Sequence, residues 1–434
     1  MKENSKYKKI LFIHYYFPPV GTVGSLRNYN IALELSPHFE EAHLMTIHNK
    51  PFRMEEEFKL DFLHLHEIKH LDYRILTERF SPQKDLNDRV NALRMKKPFG
   101  LTSKILDSHP GNLIWGEGGF LYIQNAYRRA KRLIREKGIT HIYSSFRPMA
   151  DHYIAYKLKK TFPHLIWMAD FRDLPVDRNR KNVFFPDWQD KSYRKLLGKA
   201  DFILTVSEGL SQRLLDYNRE VLVLRNGLSQ LFQPEDRTLE QKFTITYTGS
   251  LYPKLQDPSA FFAALRDLIL EGIVAEKDLQ LVYAGKDHRI WDGYVLKFGL
   301  NPISRVYSKL SLTESIRLQH RSHVNLLLSW VGPYSGGVVT GKLSEYLAAK
   351  RPVLGLINGG EDAELKDLIE KYNGGSVFHN RQQAILGRFI HSKYIGWKEN
   401  GNDKFSSHGT HSLKDLEWGK QILPLITKIQ REAR

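Results

Sequence analysis

The chain has 434 residues, of which 41% are hydrophobic and 12% aromatic, and it has no cysteine. That length suits two domains of roughly 100–200 residues each, and the composition suits packed cores rather than a disordered polymer. The lack of cysteine excludes disulfides, iron–sulfur clusters and thiolate zinc sites, and makes a reducing cytoplasm the expected compartment. The first apolar run is broken by Pro18-Pro19, and no run of about 18 apolar residues follows, so neither a signal peptide nor a spanning helix is expected. The formal net charge is +17, spread unevenly: residues 1–225 carry 38 basic and 26 acidic side chains, and residues 226–434 carry 27 and 22.

In chain order, Lys8–Phe17 reads as a strand. A loop with Gly21 and Gly24 follows, then a helix through Leu26, Ile31, Leu33 and Leu35. Strand, glycine loop and helix open a doubly wound α/β fold, with the loop at the sheet's carboxyl edge where ligands sit. The GxGxxG pattern with an acid about 20 residues on is missing, which argues against a dehydrogenase. Ala42–His48 is a second strand. Residues 50–112 are polar and irregular, readable as an acceptor-side insertion or as further helices. Within them His64–His70 (HLHEIKH) is expected as a surface helix rather than a zinc site.

Asn125–Gly138 carries six basic residues and one acid, with Tyr127, Ala130 and Ile134 on one face. It is expected as an amphipathic helix whose basic side meets an anionic membrane surface, a solvated face being the simpler alternative. Nucleic acid is not an expected partner, because no helix-turn-helix, zinc or RNA-recognition pattern accompanies the charge.

Strands follow at Ile139–Phe146, Leu165–Phe171, Ala200–Ser207 and Val221–Gly227, alternating with helices. Such alternation predicts a parallel sheet covered on both faces. Ser207 is a fair N-cap, with Glu208 in the first turn. Two strand ends bear chemistry. Asp170, Arg172 and Asp173 could bind an acceptor, or could form an internal Arg–Asp ion pair. Ser144, Ser145 and Arg147 could do the same, or could cap the helix over 148–161. No GxSxG elbow occurs, so a serine hydrolase is not indicated.

Residues 228–242 are polar and read as a linker. The theme then repeats, with strands at Phe243–Ser250, Leu279–Gly285, Ser304–Leu310, Val324–Trp330, Pro352–Ile357 and Gly374–Phe378, and a helix near Pro258–Glu271. Gly336–Pro352 says most. Leu343, Tyr346 and Leu347 share one helical face, and Lys342, Glu345 and Ala349 another. The turn before this helix brings backbone N–H groups, Gly337, Val338 and Thr340 among them, to the positive end of a helix dipole. Lys342 adds a full charge there, and Glu345 could accept hydrogen bonds from a ribose. An ordinary βαβ crossover with a solvated Lys and Glu fits the same pattern.

YYFPPVGTVGSLR, SSFRP, ADFRDLP, ADFILTVSEGL, VLRNGLSQLFQP, ITYTGSLY, LVYAG and KLSEYLAAKRPVL occur in that order. The series resembles the GT-B glycosyltransferases, specifically the retaining family 4 of bacterial surface-polysaccharide synthesis. The resemblance implies two Rossmann-like doubly wound α/β domains facing across a cleft. Residues 1–228 would be the acceptor side and 229–412 the nucleotide-sugar side, with 413–434 packing back on the first. It implies transfer from a UDP- or GDP-linked sugar to a hydroxyl of a glycan or lipid-linked acceptor. No metal and no cofactor would be needed, and the station would be cytoplasmic, on the inner face of the membrane. Lys342, Arg172 and Asp173 would be catalytic. Gly21, Gly24, Gly249, Ser250, Lys254, Gly337, Val338, Thr340 and Glu345 would hold the donor, and Ser145, Arg147 and Asp170 the acceptor. Glu345 matches the family's ribose-holding carboxylate. Gly337 stands where relatives carry a sugar-binding Glu, Ser250 where they carry Arg, and Lys254 is out of register with their Lys. Those departures leave two alternatives, a non-catalytic donor-binding scaffold and a nucleotide-sugar epimerase.

Overall fold

The computed structural model describes residues 7–48, 57–70, 101–115, 117–178, 183–228, 238–252, 255–308, 310–332, 339–404 and 413–432. It divides into two compact α/β units, Met1–Arg225 with Gln421–Arg434, and Asn226–Lys420.

The first unit is a seven-stranded sheet. Its strands are β1 (Tyr7–Ile13), β2 (Phe39–Ile47), β3 (His64–Ile68), β4 (His141–Ser145), β5 (Ile166–Phe171), β6 (Phe202–Thr205) and β7 (Val221–Val223). Their spatial order is β3-β2-β1-β4-β5-β6-β7, all parallel. Ile10 through Ile13 are fully buried, as a strand covered on both faces requires. Around the sheet run α1 (Val23–Leu35), α2 (Leu101–Asp107), α3 (Gly111–Ile114), α4 (Phe120–Lys137), α5 (Met149–Thr161), α6 (Pro186–Leu197) and α7 (Glu208–Leu214). Ser207 caps α7, its hydroxyl accepting from the Leu210 amide at 3.3 Å.

The second unit has β8 (Phe243–Thr248), β9 (Leu279–Ala284), β10 (Ser304–Tyr307), β11 (Val324–Val331), β12 (Val353–Gly359) and β13 (Gly375–His379). They run parallel in the order β10-β9-β8-β11-β12-β13. Its helices are α8 (Ser259–Leu270), α9 (His288–Phe298), α10 (Leu312–Arg321), α11 (Gly341–Ala349), α12 (Ala363–Lys371), α13 (Gln383–Lys404) and α14 (Trp418–Gln421). A capping box starts α10, where Ser311 and Glu314 bond each other's backbone N–H. The last helix, α15 (Leu423–Glu432), returns to the first unit, where Lys428 meets Glu220 at 2.9 Å.

Two expectations change. His64–Ile68 is a strand, not a surface helix: it extends the sheet beyond β2 as a parallel edge, with His64 opposite His43 and His66 opposite Met45. Residues 413–420 stay with the second unit, tied by a bridge from Leu228 to Glu417.

Each strand order reverses once, between β1 and β4 and between β8 and β11. At such a point the chain leaves neighbouring strands toward opposite faces and opens a crevice at their carboxyl ends. The residues that follow β1, β4, β8 and β11 are therefore where a ligand is expected.

Burial also sets how the fold responds to acid. His14 and His152 lie fully inside the first unit, and burial pushes each ring's pKa down to about 3. Unfolding releases these rings to about 6.5. Between those values the unfolded chain binds protons that the folded chain does not, so stability falls as pH drops. Each ring contributes a loss of about 2 kcal/mol at pH 5 relative to neutral pH. Urea unfolding at pH 7 and pH 5 checks this: the midpoint should fall at pH 5, and by less in His14→Phe.

Candidate functional site

In the second unit the site is built on the end of β8. Gly249 follows that strand with φ of +111°, a region where a side chain is strained. A Cβ there would also lie 2.6 Å from both Cε and Nζ of Lys342. Lys342, second residue of α11, thus reaches from the crossover helix to the β8 turn. Its ammonium donates to the Tyr247 hydroxyl at 3.0 Å and stands 4.4 Å from that ring's centre.

The turn is rigid because its polar groups are bonded inward. Tyr247 donates to the Ser250 carbonyl at 2.6 Å, and Tyr283 to the Gly249 carbonyl at 3.0 Å. The Leu251 amide donates to the Asp287 carboxylate at 2.9 Å. Tyr247, Tyr283 and Trp291 form a near-parallel stack beneath, with ring centres 5.0 to 6.0 Å apart. Burial raises the Tyr247 hydroxyl far above its ordinary pKa, so it stays a neutral partner for the lysine.

Glu345 lies one turn beyond Lys342. Its Oε2 accepts from Gln319 Nε2 at 2.9 Å, and the same Gln319 nitrogen donates to Thr248 Oγ1 at 3.0 Å. Burial raises the Glu345 pKa, against the pull of the Gln319 hydrogen bond and the Lys342 charge. Thr340 is exposed at the N-cap of α11, and its side chain makes no capping bond. Among the described residues, the N-cap side chain thus leaves the positive end of the helix uncapped. Gly249, Ser250, Thr340, Lys342 and Glu345 thus belong to one locality. Lys254, Gly337 and Val338 lie outside the described residues.

The first unit has its own cluster at the ends of β1, β4 and β5. Asp170 is fully buried and takes two bonds from Arg27, from Nε at 3.0 Å and from Nη2 at 2.7 Å. Burial raises its pKa, but Arg27 outweighs that, with help from Arg172 and His14, and holds the carboxyl below its usual range. Ser145, also buried, lies 3.4 Å from the same carboxylate. An internal Arg–Asp pair is thus present, made with Arg27 of α1. Asp170 and Ser145 face inward here, bracing α1 and the loop before it.

Arg172 points elsewhere. It donates to the Phe146 carbonyl from Nε at 3.0 Å and from Nη2 at 2.6 Å. Its Nη1 would lie 1.5 Å from a Cβ at Gly24, so a glycine in the first turn of α1 is what admits the guanidinium. Thr22 caps that helix, accepting from the Ser25 amide at 3.1 Å, and Gly21 before it is exposed. Arg147 faces the carboxylates of Asp173, Glu117, Asp107 and Asp177, which keep it charged against its burial. Ser144 meets His152 at 2.7 Å, but both are fully buried, so the pair is part of the core.

Gln319, Tyr247, Tyr283 and Arg27 have no counterpart among the residues singled out by sequence. Gln319 sits 26 positions before Glu345 and Arg27 143 before Asp170, and no local pattern links such pairs. Tyr247 had a faint signal, an aromatic two residues before the strand-ending Gly249. Among the described residues no group of three His, Asp or Glu side chains is arranged to hold a metal.

No family model matches the chain, and no curated protein matches it. Solved structures do. Sucrose-phosphate synthase from Thermosynechococcus elongatus superposes with a TM-score of 0.62 at 12% identity, over 98% of this chain and 99% of that one. The lipopolysaccharide outer core galactosyltransferase WaaB does so at 0.57 and 10% identity, over 98% and 100%. The fold is GT-B. Its solved neighbours are chiefly glycosyltransferases, among them an α,α-trehalose 6-phosphate synthase from Burkholderia multivorans (TM-score 0.58, 10% identity, 99% of each chain). A structure from Listeria monocytogenes assigned as a UDP-N-acetylglucosamine 2-epimerase also matches, at 0.52 and 11% identity, over 98% and 97%.

The Arg27–Asp170 pair gives a direct test of bracing. Removing one partner of a buried pair strands a charge and costs about 3–5 kcal/mol. Arg27→Ala should therefore lose that much stability in urea unfolding. Lys9→Ala, which breaks the part-exposed Lys9–Glu41 pair, should lose much less.

Proposed function

We propose that the chain is a retaining glycosyltransferase of the family 4 type. It moves a sugar from a UDP- or GDP-linked donor to a hydroxyl of a glycan or lipid-linked acceptor in surface-polysaccharide synthesis, without a metal. The observation that carries this reading is Lys342 held against Gly249 in the first turn of α11, with the Glu345 carboxylate one turn away. A cation and a helix N-terminus favour a diphosphate, and a carboxylate favours ribose hydroxyls.

In this reading the bond from the sugar's anomeric carbon to the diphosphate oxygen breaks, and a bond to the acceptor oxygen forms on the same face. The acceptor proton passes to the departing phosphate, so no protein nucleophile is needed. The protein stabilises the departing charge and positions the acceptor. Lys342 takes the charge beside the Gly249 turn, with the amides of Ser250 and Thr340 next to it; the Gly249 amide itself is bonded to the Ala284 carbonyl at 2.7 Å. Lys254, Gly337 and Val338 are proposed for the same donor from the sequence pattern alone. Arg172 and Asp173, with Gly21 and Gly24, are the first unit's candidates, and Arg147 its candidate for the acceptor. Asp170 and Ser145 would act through the Arg27 brace. The lipid-linked acceptor suits the exposed basic side of α4, which would draw the protein to an anionic inner leaflet from the cytoplasm. Nucleic acid is not proposed as a partner.

Two observations favour other readings. The epimerase among the solved neighbours supports a donor-isomerising enzyme. Ser250 and Gly337, where relatives carry Arg and Glu, support a non-catalytic donor-binding scaffold.

Calorimetric titration with UDP and GDP, followed by product analysis with a donor and acceptor panel, separates the three. Glycosylated acceptor is the expected result; isomerised free donor would establish the epimerase, and binding without turnover the scaffold. Lys342→Ala and Glu345→Ala should each weaken nucleotide binding by about tenfold to a hundredfold, as expected for a lost charge-assisted bond. Unchanged affinity in both would remove the donor site from α11.

A further inference from the structure

Sixteen large hydrophobic side chains are exposed among the described residues, and seven stand in one part of the first unit. Five lie between Ile105 and Leu121, on α2, α3 and the start of α4; the other two, Phe185 and Trp188, begin α6. The elements meet: the His109 amide donates to Gln189 at 2.9 Å, the His109 and Trp188 rings are 5.1 Å apart, and the Phe184 amide donates to Ser108 at 2.7 Å. Exposure is high, 63% for Trp115 and 76% for Phe185. A monomer in water seldom gathers so much apolar surface without a use for it.

The charge beside this patch says what covers it. Leu121, Arg128, Arg132 and Arg135 are spaced by seven, four and three residues, so they share one face of α4. All four are exposed, while Ile123, Ala126, Ala130 and Ile134 pack inward. The outer face of α4 therefore begins apolar, with Leu121 and the neighbouring Phe120, and continues cationic. On α4 itself Glu136 is the one carboxylate against six basic residues, while Asp187 is paired with Arg178 at 2.6 Å, and Asp107 and Glu117 face Arg147. Aromatic and aliphatic side chains at one end of an arginine-lined surface match the layering of a bilayer, acyl boundary below and anionic headgroups above.

We propose that the α2–α3 region, the start of α4 and the start of α6 form an apolar wedge. It inserts into an anionic phospholipid bilayer while Arg128, Arg132 and Arg135 lie on the headgroups. This goes beyond the electrostatic attraction proposed above by adding a salt-resistant insertion, and its test is read without any glycosyl transfer.

Vesicle flotation tests it, using phosphatidylcholine alone and phosphatidylcholine with phosphatidylglycerol, at low salt and at about 1 M salt where headgroup attraction is screened. Full-length protein should float with the anionic vesicles at low salt and keep a bound fraction at high salt. Brominated acyl chains should quench its tryptophan fluorescence, and Trp115→Phe should lose part of that quenching. Phe120→Ser with Leu121→Ser should lower the high-salt partition by roughly tenfold or more. Arg128→Gln with Arg132→Gln should reduce low-salt binding and leave the high-salt fraction. Complete release of the wild-type protein by salt, an unchanged high-salt fraction in the serine variant, or no acyl-chain quenching would each overturn the wedge. Catalytic failure with intact flotation would count against the transferase alone.

Discussion

The ammonium of Lys342 lies against the one face of Gly249 that has no side chain. Much of the second unit follows from that contact. The glycine must take a positive φ, and its vacancy must stay open. The tyrosine below must offer both a ring and a neutral hydroxyl to a cation. Tyr247 does so only because Tyr283 and Trp291 hold it flat and its own hydroxyl proton is spent on the Ser250 carbonyl. The crossover helix is thereby locked to the strand across the switch point. A lysine held this way would lose little freedom on meeting an anion, which suits it to the proposed diphosphate.

The first unit uses the same device with different parts. Arg172 occupies the space that a side chain at Gly24 would need, and is fixed by two bonds to the Phe146 carbonyl. The second charged group at that strand end, Asp170, goes inward to Arg27. Asp170 and Arg172 are two positions apart, which within a strand would put them on one face; they part because Arg172 lies beyond the end of β5 at Phe171. One braces the sheet to α1, and the other stays at the carboxyl edge.

Much of the architecture was legible because parallel strands buried on both faces are short continuous apolar runs. Each of the long ones, from Lys8–Phe17 to Pro352–Ile357, contains a strand in the structure, although the first ends at Ile13, four residues short of Phe17. The N-cap at Ser207 and the α11 helix with its lysine and glutamate were legible for a local reason, since caps and helical faces depend on neighbours three or four residues away. His64–Ile68 was misread because an exposed edge strand is not required to be apolar, and its histidines mimic a solvated helix. The wiring of the sites was not legible. Gln319 to Glu345, Arg27 to Asp170 and Lys342 to Tyr247 join residues that only a completed sheet brings together. Residue types at the strand ends could be read from sequence, but not which of them would pair inward.

In the proposed function the Gly249–Leu251 turn and the first turn of α11 form one diphosphate-binding locality. Hydrogen–deuterium exchange of the full-length protein, with and without saturating UDP or GDP, tests this most directly. Slowed exchange is expected in peptides covering residues 249–251 and 341–345 together, with both effects lost in Lys342→Ala. Nucleotide binding that protects neither segment, or protects them equally well without Lys342, would contradict it.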